Sequence, residues 1–298
     1  MRKFLVTGKN GQVGFELVRA LAPLGEVVAV GRSECDLSNP DSLRDCFRSV
    51  APDVVVNPAA YTAVDRAESE PEHARTVNAQ APGILADECA RSGALLVHYS
   101  TDYVFDGTAD APYTESSPTH PPGVYGRTKL EGEQAIAASG CRHLIFRTSW
   151  VFGAHGANFL KTILRLAAER DSLKIVSDQI GAPTSASLLA DATAQILGRL
   201  THSPSADLPL GLYHLAAAGH TSWFDYARLV VESARKAGRP IKLAPDALLP
   251  IPSSEYPTPA ARPKNSRLDT TKFRQSFGLH LPDWTSGVAH VLAQLLSQ

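Results

Sequence analysis

Cysteine is scarce in this chain of 298 residues. The sequence contains four, all far apart: Cys35, Cys46, Cys89 and Cys141. Small secreted domains rely on dense disulfide frameworks, and zinc sites need ligands at short, fixed spacings. The four thiols are therefore expected to be reduced. The histidines, among them His98, His214 and His220, lack metal-ligand spacing and are expected to be structural.

Long apolar runs and a strong net charge are also missing. No apolar run approaches the ~18 residues of a membrane-spanning helix, and the first residues lack the apolar segment of a secretory signal. The formal net charge is -1, whereas proteins that coat nucleic acids or membrane surfaces usually carry a strong basic excess. We expect a cytoplasmic protein with neither a nucleic-acid nor a membrane partner.

The N-terminal half alternates short apolar runs with helical stretches. The runs predict strands over residues 4–7, 27–30, 54–57, 95–100 and 143–148. Nearly continuous apolar runs are typical of strands buried on both faces, and the helical intervals imply parallel βαβ crossovers. The predicted fold class is α/β, with a Rossmann-type doubly wound parallel sheet.

A glycine-rich loop follows the first predicted strand directly. It reads Gly8-Lys9-Asn10-Gly11-Gln12-Val13-Gly14 and runs into a helix predicted over residues 11–24. Glycines permit a tight turn and a close backbone approach, and a helix N-terminus offers N–H groups to a pyrophosphate. A glycine-rich turn also occurs without a ligand. Here the context predicts a dinucleotide site that includes Gly8, Asn10, Gly11, Gln12, Val13 and Gly14.

The end of the second predicted strand bears on the choice of dinucleotide. Dehydrogenases selective for NAD usually carry an acid there, whereas this chain has Gly31-Arg32. Arginine can pair with a 2′-phosphate, so NADP(H) is favoured and NAD(H) is the alternative. An ordinary solvated loop arginine is the non-functional interpretation. The other residues expected beside the dinucleotide are Asp36, Leu37, Ala59, Ala60 and Tyr61.

The regular alternation loosens after about residue 150. Helices predicted at 158–170, 223–237 and 284–297 indicate a smaller C-terminal lobe, and proline-rich stretches at 203–209 and 249–263 predict loops. We expect a dinucleotide-binding domain over residues 1–150 and mainly a substrate-binding lobe over residues 151–298. Residues at about 175–215 are the segment expected to return to the first domain.

Tyr125 and Lys129 lie four residues apart, on one face of a helix predicted to run to about Ser139. Tyrosine titrates near ~10, and a neighbouring lysine and an oxidised nicotinamide would both lower that pKa toward the working pH. The pair then suits proton donation to a carbonyl under reduction. Tyr-x-x-x-Lys also arises by chance on helix surfaces.

The fourth predicted strand ends near Thr101, and ligands of open α/β sheets bind at the C-terminal ends of the strands. A Thr101 hydroxyl can bond the substrate oxygen and orient Tyr125. A simple capping hydroxyl is the alternative. The predicted catalytic set is therefore Thr101, Tyr125 and Lys129, and Tyr99 is expected beside the cofactor together with Tyr125 and Lys129.

These motifs together resemble the extended short-chain dehydrogenase/reductases, and within them the reductases of dTDP-linked keto sugars. The resembling stretches cover residues 8–16, 52–70, 98–107, 124–133, 143–152, 178–184, 211–215 and 256–269. The resemblance implies hydride transfer from the nicotinamide to C4 of dTDP-4-dehydro-L-rhamnose, the last step in the synthesis of dTDP-L-rhamnose. By position, Tyr125 matches the family's proton donor, Lys129 its lysine and Thr101 its hydroxyl partner.

The same resemblance implies a substrate site. Asp102 and Trp150 fall where the family contacts the sugar, and Arg262 falls in a loop where it would meet the diphosphate. For Arg262 a solvated surface residue is the alternative. The implied substrate-binding set is Thr101, Asp102, Tyr125, Trp150 and Arg262. The expected partner is a dTDP-linked keto sugar, and the protein is expected to be a monomer or a homodimer.

One departure from the family concerns a metal. Some members bind Mg2+ through three glutamates at a dimer contact, and this chain keeps Glu16 but has Ser187 and Gln294 at the matching positions. With one carboxylate in place of three, a hard-cation site loses most of its charge. No metal is therefore expected to bind, and Glu16 is the only remnant of the family's Mg2+ site.

Two other functions stay open. One is a nucleotide-sugar epimerase of the same fold, which would recycle its coenzyme internally. The other is a non-catalytic dinucleotide-binding regulatory subunit, like the related partner of methionine adenosyltransferase. Dehydration is disfavoured, because it generally uses an Asp-Glu pair after the threonine, whereas Tyr103 follows Asp102 here. NADPH consumption with a dTDP-keto sugar would separate the reductase from the regulatory subunit.

Overall fold

The computed structural model describes residues 1–202 and 208–297. Its strands are β1 (Arg2–Thr7), β2 (Gly25–Val30), β3 (Val54–Asn57), β4 (Leu95–Thr101), β5 (Arg142–Thr148), β6 (Val151–Phe152), β7 (Leu173–Val176), β8 (Ile180–Gly181), β9 (Thr184–Ser185), β10 (Gly211–His214), β11 (Thr221–Ser222) and β12 (Leu248–Ile251). The five predicted strands are confirmed as β1 to β5, each with its bounds within two residues of the prediction.

The α-helices are α1 (Gln12–Leu21), α2 (Pro40–Val50), α3 (Val64–Ala67), α4 (Pro71–Arg75), α5 (Ala81–Ser92), α6 (Val124–Ala138), α7 (Phe159–Glu169), α8 (Ala186–His202), α9 (Trp223–Lys236), α10 (Thr271–Phe277) and α11 (Trp284–Leu296). Short 3-10 turns lie at Ala22–Leu24, Asp102–Val104 and Ser253–Glu255, and a π-helical turn lies at Thr76–Gln80. The helices predicted near residues 11, 125, 158, 223 and 284 are all confirmed. Within the described ranges, no helix combines the length and apolar character needed to cross a bilayer.

Six strands form the central sheet in the order β10-β5-β4-β3-β1-β2, and every pairing between them is parallel. Successive residues of β1 face opposite sides of this sheet. Phe4 and Val6 pack in a cluster with Leu17 of α1 and Ile196 of α8. Leu5 packs in another cluster with side chains of α2, α5 and α6. Apolar cover on both faces explains why the strands are continuous apolar runs, and the predicted doubly wound fold is confirmed.

The strand order reverses between β1 and β3. From β1 the chain moves to one edge of the sheet through β2, then returns to the other side of β1 through β3 and continues outward. In open α/β sheets, ligands bind in the crevice outside the carboxyl ends of the strands at such a reversal. The ends of β1 and β3 are therefore the place where the topology positions a dinucleotide.

The second half of the chain is divided between the sheet and a separate cluster. Within residues 175–215, β10 pairs with β5, and α8 packs on α1. The separate cluster contains Phe152, Tyr226, Trp284 and apolar side chains of α7, α9 and α11. We propose that α8 and β10 belong with residues 1–150, and that the separate cluster is the centre of the substrate-binding lobe.

The predicted proline-rich loops require one correction. Residues 249–251, expected in a loop, belong to β12, which pairs in parallel with β7. Proline lacks the N–H that a central strand needs, but this two-stranded ribbon consists of edges only. In the other proline-rich stretch, residues 203–207 lie outside the described part of the chain.

Candidate active site

The glycine-rich loop forms a tight turn between β1 and α1. Gly8 has a φ of +63°, and the N–H of Gly11 donates to the Gly8 carbonyl oxygen at 2.9 Å. A Cβ at Gly14 would lie 2.1 Å from that same oxygen, so only glycine lets α1 begin so close to the turn. No side chain caps the start of α1, which leaves its first N–H groups for an anion.

Two adjacent cavities begin at this loop, and Gly8, Ala59 and Ala60 line both. The larger cavity, about 610 Å³, extends over the ends of β1, β3 and β4. It brings together these predicted cofactor residues: Gly8, Asn10, Gly11, Gln12, Val13, Gly14, Ala59, Ala60, Tyr99, Tyr125 and Lys129. The smaller cavity, about 180 Å³, is lined by the rest of that set: Arg32, Asp36, Leu37 and Tyr61.

An acid that was not among the predicted cofactor residues, Glu34, lies four residues after β2. The Glu34 carboxylate accepts from the Gly31 N–H at 2.8 Å and pairs with the Lys9 ammonium at 2.7 Å. Chiefly because of Lys9, the pKa of Glu34 is lowered to about 2. A Cβ at Gly31 would lie 2.8 Å from the Asn10 amide and 3.2 Å from Glu34, so both side chains occupy space that glycine leaves. Arg32 is largely exposed, and its Nε lies 3.8 Å from an Asp36 oxygen.

Tyr125 lies in the first turn of α6, directly before Gly126. A Cβ at Gly126 would lie 2.1 Å from the Tyr103 carbonyl oxygen, so glycine allows α6 to rest on the backbone that follows β4. The Tyr103 and Tyr125 rings meet edge to face at 5.5 Å. This packing brings the end of β4, with Thr101, and the start of α6, with Tyr125, into the lining of the larger cavity.

Lys129 is almost fully buried one turn further along α6. Its ammonium nitrogen lies 2.6 Å from the Tyr99 carbonyl oxygen and 3.0 Å from Nε2 of His98. Burial lowers the pKa of Lys129 to about 8. The contact with His98 was missed, because the spacing of histidines along the sequence does not reveal which strand end lies beneath α6.

The predicted lowering of the Tyr125 pKa by Lys129 is wrong for this structure. Burial raises the pKa of Tyr125 to about 12, Asp102 adds to the rise, and a hydrogen bond with Thr101 opposes it. The Lys129 nitrogen is held by Tyr99 and His98, on the sheet side. Tyr125 is therefore a protonated phenol at neutral pH, bonded to the predicted hydroxyl partner.

Thr101 and Asp102 form the floor of the cavity at the end of β4. The Thr101 hydroxyl accepts from the Tyr103 N–H at 3.2 Å, so the capping alternative describes one of its contacts. The buried Asp102 carboxyl accepts from Thr101 through Oδ1, and the Ser266 hydroxyl lies near enough to lower the pKa of the carboxyl, but Oδ2 makes no hydrogen bond of good geometry. Burial raises the pKa of Asp102 to about 6. An unpartnered buried oxygen on a cavity wall suits a ligand hydroxyl.

Trp150 forms a wall of the cavity in an unusual backbone conformation. Its φ is +48°, which is rare for a residue with a side chain. Its ring stacks on Trp223 with centroids 3.6 Å apart, and a Cβ at Gly181 would lie 2.5 Å from it. Trp223, the first residue of α9, lies far along the chain from Trp150 and was not among the predicted site residues. Packing on two sides therefore holds the strained tryptophan in one position.

Arg262 is the one predicted substrate residue that does not line the larger cavity. Its guanidinium pairs with Asp65 at 2.7 Å, and its Nη1 is buried without a partner. It lies near enough to Tyr103, a lining residue, to lower the pKa of that phenol against the stronger effect of burial. The structure therefore places Arg262 behind the cavity wall, tied to α3.

Glu16, Ser187 and Gln294 do meet, in a separate cavity of about 690 Å³. The Glu16 carboxylate is paired with Arg19 at 3.0 Å, and Arg19 also pairs with Asp191 at 2.8 Å. Among the described residues, no group of three His, Cys, Asp or Glu side chains could hold a metal ion. The residues present do not fit Mg2+, because the one carboxylate at these positions is already neutralised.

The chain resembles known proteins both in sequence and in fold. The family model described as the RmlD substrate binding domain matches residues 1–297. The chain is 52% identical over 297 residues to the dTDP-4-dehydrorhamnose reductase of Escherichia coli K12, with 98% of each chain covered.

Two solved structures are similar over nearly the whole chain. A dTDP-4-dehydrorhamnose reductase from Clostridium acetobutylicum is 35% identical with a TM-score of 0.89, and covers 99% of this chain and 100% of its own. A Bacillus anthracis dTDP-4-dehydrorhamnose reductase, solved in complex with NADP, is 32% identical with a TM-score of 0.87, and covers 98% of this chain and 99% of its own. On these matches, the chain belongs to the RmlD substrate-binding family, that of the dTDP-4-dehydrorhamnose reductases.

Proposed function

We propose that the protein reduces the C4 keto group of dTDP-4-dehydro-L-rhamnose to dTDP-L-rhamnose, with NADPH preferred as the hydride donor. The observation that carries this proposal is the meeting of Thr101, Tyr125 and Lys129 in one cavity with the glycine-rich loop. Membership of the family and 52% identity to the Escherichia coli reductase support the choice of sugar. The reaction would be the last step in the synthesis of dTDP-L-rhamnose.

The residues present fit a dinucleotide. The open first turn of α1 suits the pyrophosphate, and the turn built on Gly8 lets the backbone approach it closely. The smaller cavity, with Arg32 at its edge, suits the adenosine end, and the larger cavity suits the nicotinamide end. NADP in complex with the Bacillus anthracis relative supports the same choice of cofactor, with NADH as a second donor.

Tyr125 is the proton donor in this proposal. When bound, a reduced nicotinamide would supply a hydride to C4, so that the C4–O double bond would become a single bond with its electrons on the oxygen. The Tyr125 O–H bond breaks as the new O–H bond forms, leaving a tyrosinate that solvent protons later restore. With a pKa raised to about 12, the phenol stays protonated until an alkoxide, which is far more basic, develops beside it.

The other side chains position the reacting groups. Thr101 lies within hydrogen-bonding reach of Tyr125 and would hold the phenol beside the substrate oxygen. The position of Lys129 in the lining of the larger cavity suits a hydrogen bond to the nicotinamide ribose. Asp102 offers its unpartnered Oδ2 to a sugar hydroxyl, and the rigid ring of Trp150 closes one side of the sugar site.

Arg262 completes the proposed substrate site in a supporting role. Its free Nη1 and its partner Asp65 lie behind Tyr103, so we propose that it reaches the diphosphate when the nucleotide end binds. The proposed partner is accordingly a dTDP-linked keto sugar. A monomer and a homodimer both remain compatible with this site, and sedimentation of the purified protein distinguishes them.

The deciding experiment is NADPH consumption with enzymatically generated dTDP-4-dehydro-L-rhamnose, alongside a reaction without sugar and one with NADH. We expect turnover that depends on the sugar, with dTDP-L-rhamnose as the product. Dinucleotide binding without turnover would contradict the proposal and point to another keto sugar or to a regulatory subunit. A product that differs from the substrate only at a carbon stereocentre, with no net NADPH loss, would point to an epimerase.

A further inference from the structure

Four side chains form a hydrogen-bonded chain beneath the proposed active site. The Lys129 nitrogen lies 3.0 Å from His98 Nε2. His98 Nδ1 lies 3.1 Å from the Asn57 amide nitrogen, and Asn57 Oδ1 lies 2.5 Å from the Thr7 hydroxyl. This row of hydrogen-bonded side chains therefore crosses the sheet from α6 to the end of β1.

Strand register places these groups in line. Asn57 is paired with His98 across β3 and β4, and Val6 is paired with Val56, so Thr7 and Asn57 are neighbours at the ends of their strands. Side chains at matching positions of adjacent strands point to the same face. Thr7, Asn57 and His98 have no exposed surface, and Lys129 is 1% exposed. Water cannot easily replace a partner within this chain.

The donors and acceptors of these four side chains restrict where the protons between them can lie. When the Asn57 amide nitrogen donates to Nδ1, a neutral His98 carries its proton on Nε2, facing Lys129. That N–H needs a lone pair on the lysine nitrogen, which only the neutral amine has. This arrangement is therefore incompatible with a charged Lys129.

A charged Lys129 demands the opposite arrangement. Its ammonium can only donate, so Nε2 must accept and the imidazole proton must sit on Nδ1. The Asn57 backbone carbonyl, which lies near enough to His98 to raise its pKa, can accept from Nδ1, and the Asn57 side-chain amide can turn so that its oxygen also accepts there while its nitrogen donates to Thr7. The Thr7 hydroxyl permits both orientations, because a hydroxyl can donate or accept.

The other ionisable groups around Lys129 do not hold it in one charge state. Glu133, one turn along α6, raises the pKa of Lys129, but its carboxylate is already paired with Arg147 of β5 at 2.6 Å and accepts from Ser100. Tyr125, one turn back on α6, is a neutral phenol at neutral pH. Burial outweighs these groups and brings the pKa of Lys129 to about 8, while burial keeps His98 from becoming an imidazolium.

We propose that Thr7, Asn57 and His98 are positioning residues that couple the proton count of Lys129 to the tautomer of His98. When Lys129 loses one proton to solvent, the His98 ring keeps its single proton, which moves from Nδ1 to Nε2. The four hydrogen-bonded side chains together lose one positive charge. The Lys129 nitrogen thus keeps a hydrogen bond to His98 in both states. The importance of this for catalysis rests on the proposed function, but the coupling itself does not.

The test is a pH titration of the apoprotein labelled with 15N-histidine, followed by NMR from about pH 6 to about pH 10, a range that brackets both lysine states. The His98 signals are assigned by their loss in a His98→Gln variant. We expect the Nδ1–H tautomer at the acid end, the Nε2–H tautomer at the alkaline end, and a midpoint near pH 8. One unchanged tautomer throughout, or a doubly protonated ring at the acid end, would overturn the proposal.

An Asn57→Asp variant provides the second test. A carboxylate at this position can only accept, so it holds the His98 proton on Nδ1, and we expect the tautomer change to disappear from the titrated range. Asn78→Asp is the matched control, because Asn78 is a buried amide that bonds Thr128 of α6 and does not touch His98. A tautomer change that survives Asn57→Asp, or that is lost equally in Asn78→Asp, would contradict the coupling. Since neither measurement needs sugar turnover, its outcome is independent of the reductase assay.

Discussion

Gly126 fixes the distance between the two halves of the proposed catalytic site. It follows Tyr125 directly, and the space of its missing Cβ is occupied by the carbonyl of Tyr103, two residues after Thr101. We therefore expect Gly126→Ala to move Tyr125 away from Thr101 without removing either side chain. The variant tests whether close packing of α6 on the end of β4 determines the rate of proton donation.

The size of the effect follows from the contact distance. An alanine Cβ would lie 2.1 Å from the Tyr103 oxygen, whereas ordinary contacts between heavy atoms are about 3.5 Å, so the two backbones must separate by about 1.4 Å. A misplacement of about 1 Å at a reacting group costs about 100-fold in rate. Overpacking costs about 1–3 kcal/mol of stability, and the better helix propensity of alanine offsets about 1 kcal/mol of that.

The assay compares kcat for NADPH-dependent sugar reduction with the urea midpoint of each variant. Gly132→Ala is the matched control, since its Cβ would lie 2.2 Å from the Asn78 oxygen, on the same helix but against a different segment. We expect similar losses of stability in both variants, and a fall of about 100-fold in kcat for Gly126→Ala alone. A wild-type kcat in Gly126→Ala, with the destabilisation present, would refute the reasoning.

Three further predictions concern individual side chains. Tyr125→Phe should abolish sugar reduction while NADPH still binds in a fluorescence titration, and full activity would eliminate Tyr125 as the acid. Arg32→Ala should raise the KM for NADPH by a factor at least about ten times larger than the factor for NADH, because a charged hydrogen bond to the 2′-phosphate is worth about 1.5–3 kcal/mol. Folded Asp102 has a pKa of about 6, so it keeps its proton between about pH 4 and pH 6 while the unfolded carboxyl ionises. Stability should therefore fall by about 3 kcal/mol as pH rises through that window, and urea titrations of Asp102→Asn should lack this fall.

The strands and the glycine-rich loop could be predicted because their signals are local. A strand buried on both faces must be apolar at every position, which is why residues 54–57 and 95–100 stood out in sequence. The turn after β1 needs glycine for local reasons, since Gly8 has a positive φ and a Cβ at Gly14 would meet the Gly8 carbonyl oxygen. Tyr125 and Lys129 were recognised for the same reason, since one helical turn relates them.

Contacts between distant segments could not be predicted in this way. His98 lies 31 positions from Lys129 and was expected to be merely structural, yet its ring meets the lysine because β4 ends beneath α6. Arg262 is proposed to meet the diphosphate, and its pairing with Asp65, 197 positions away, could not be read from the sequence. Trp150 was identified from the family resemblance, but its stacking on Trp223 depends on where α9 packs.

At the adenosine end of the proposed cofactor site, one contact between distant segments bears on the choice between NADP(H) and NAD(H). The absence of an acid at Gly31 favoured NADP(H), but Glu34 places a carboxylate against the Gly31 N–H all the same. That carboxylate is bound by Lys9, which holds its pKa at about 2, so its charge is balanced before any ribose arrives. Arg32 has only a 3.8 Å contact with Asp36 and remains largely exposed. Without Lys9 the Glu34 charge would repel a 2′-phosphate, so we expect Lys9→Ala, like Arg32→Ala, to raise the KM for NADPH more than the KM for NADH, and equal changes for the two cofactors would contradict this.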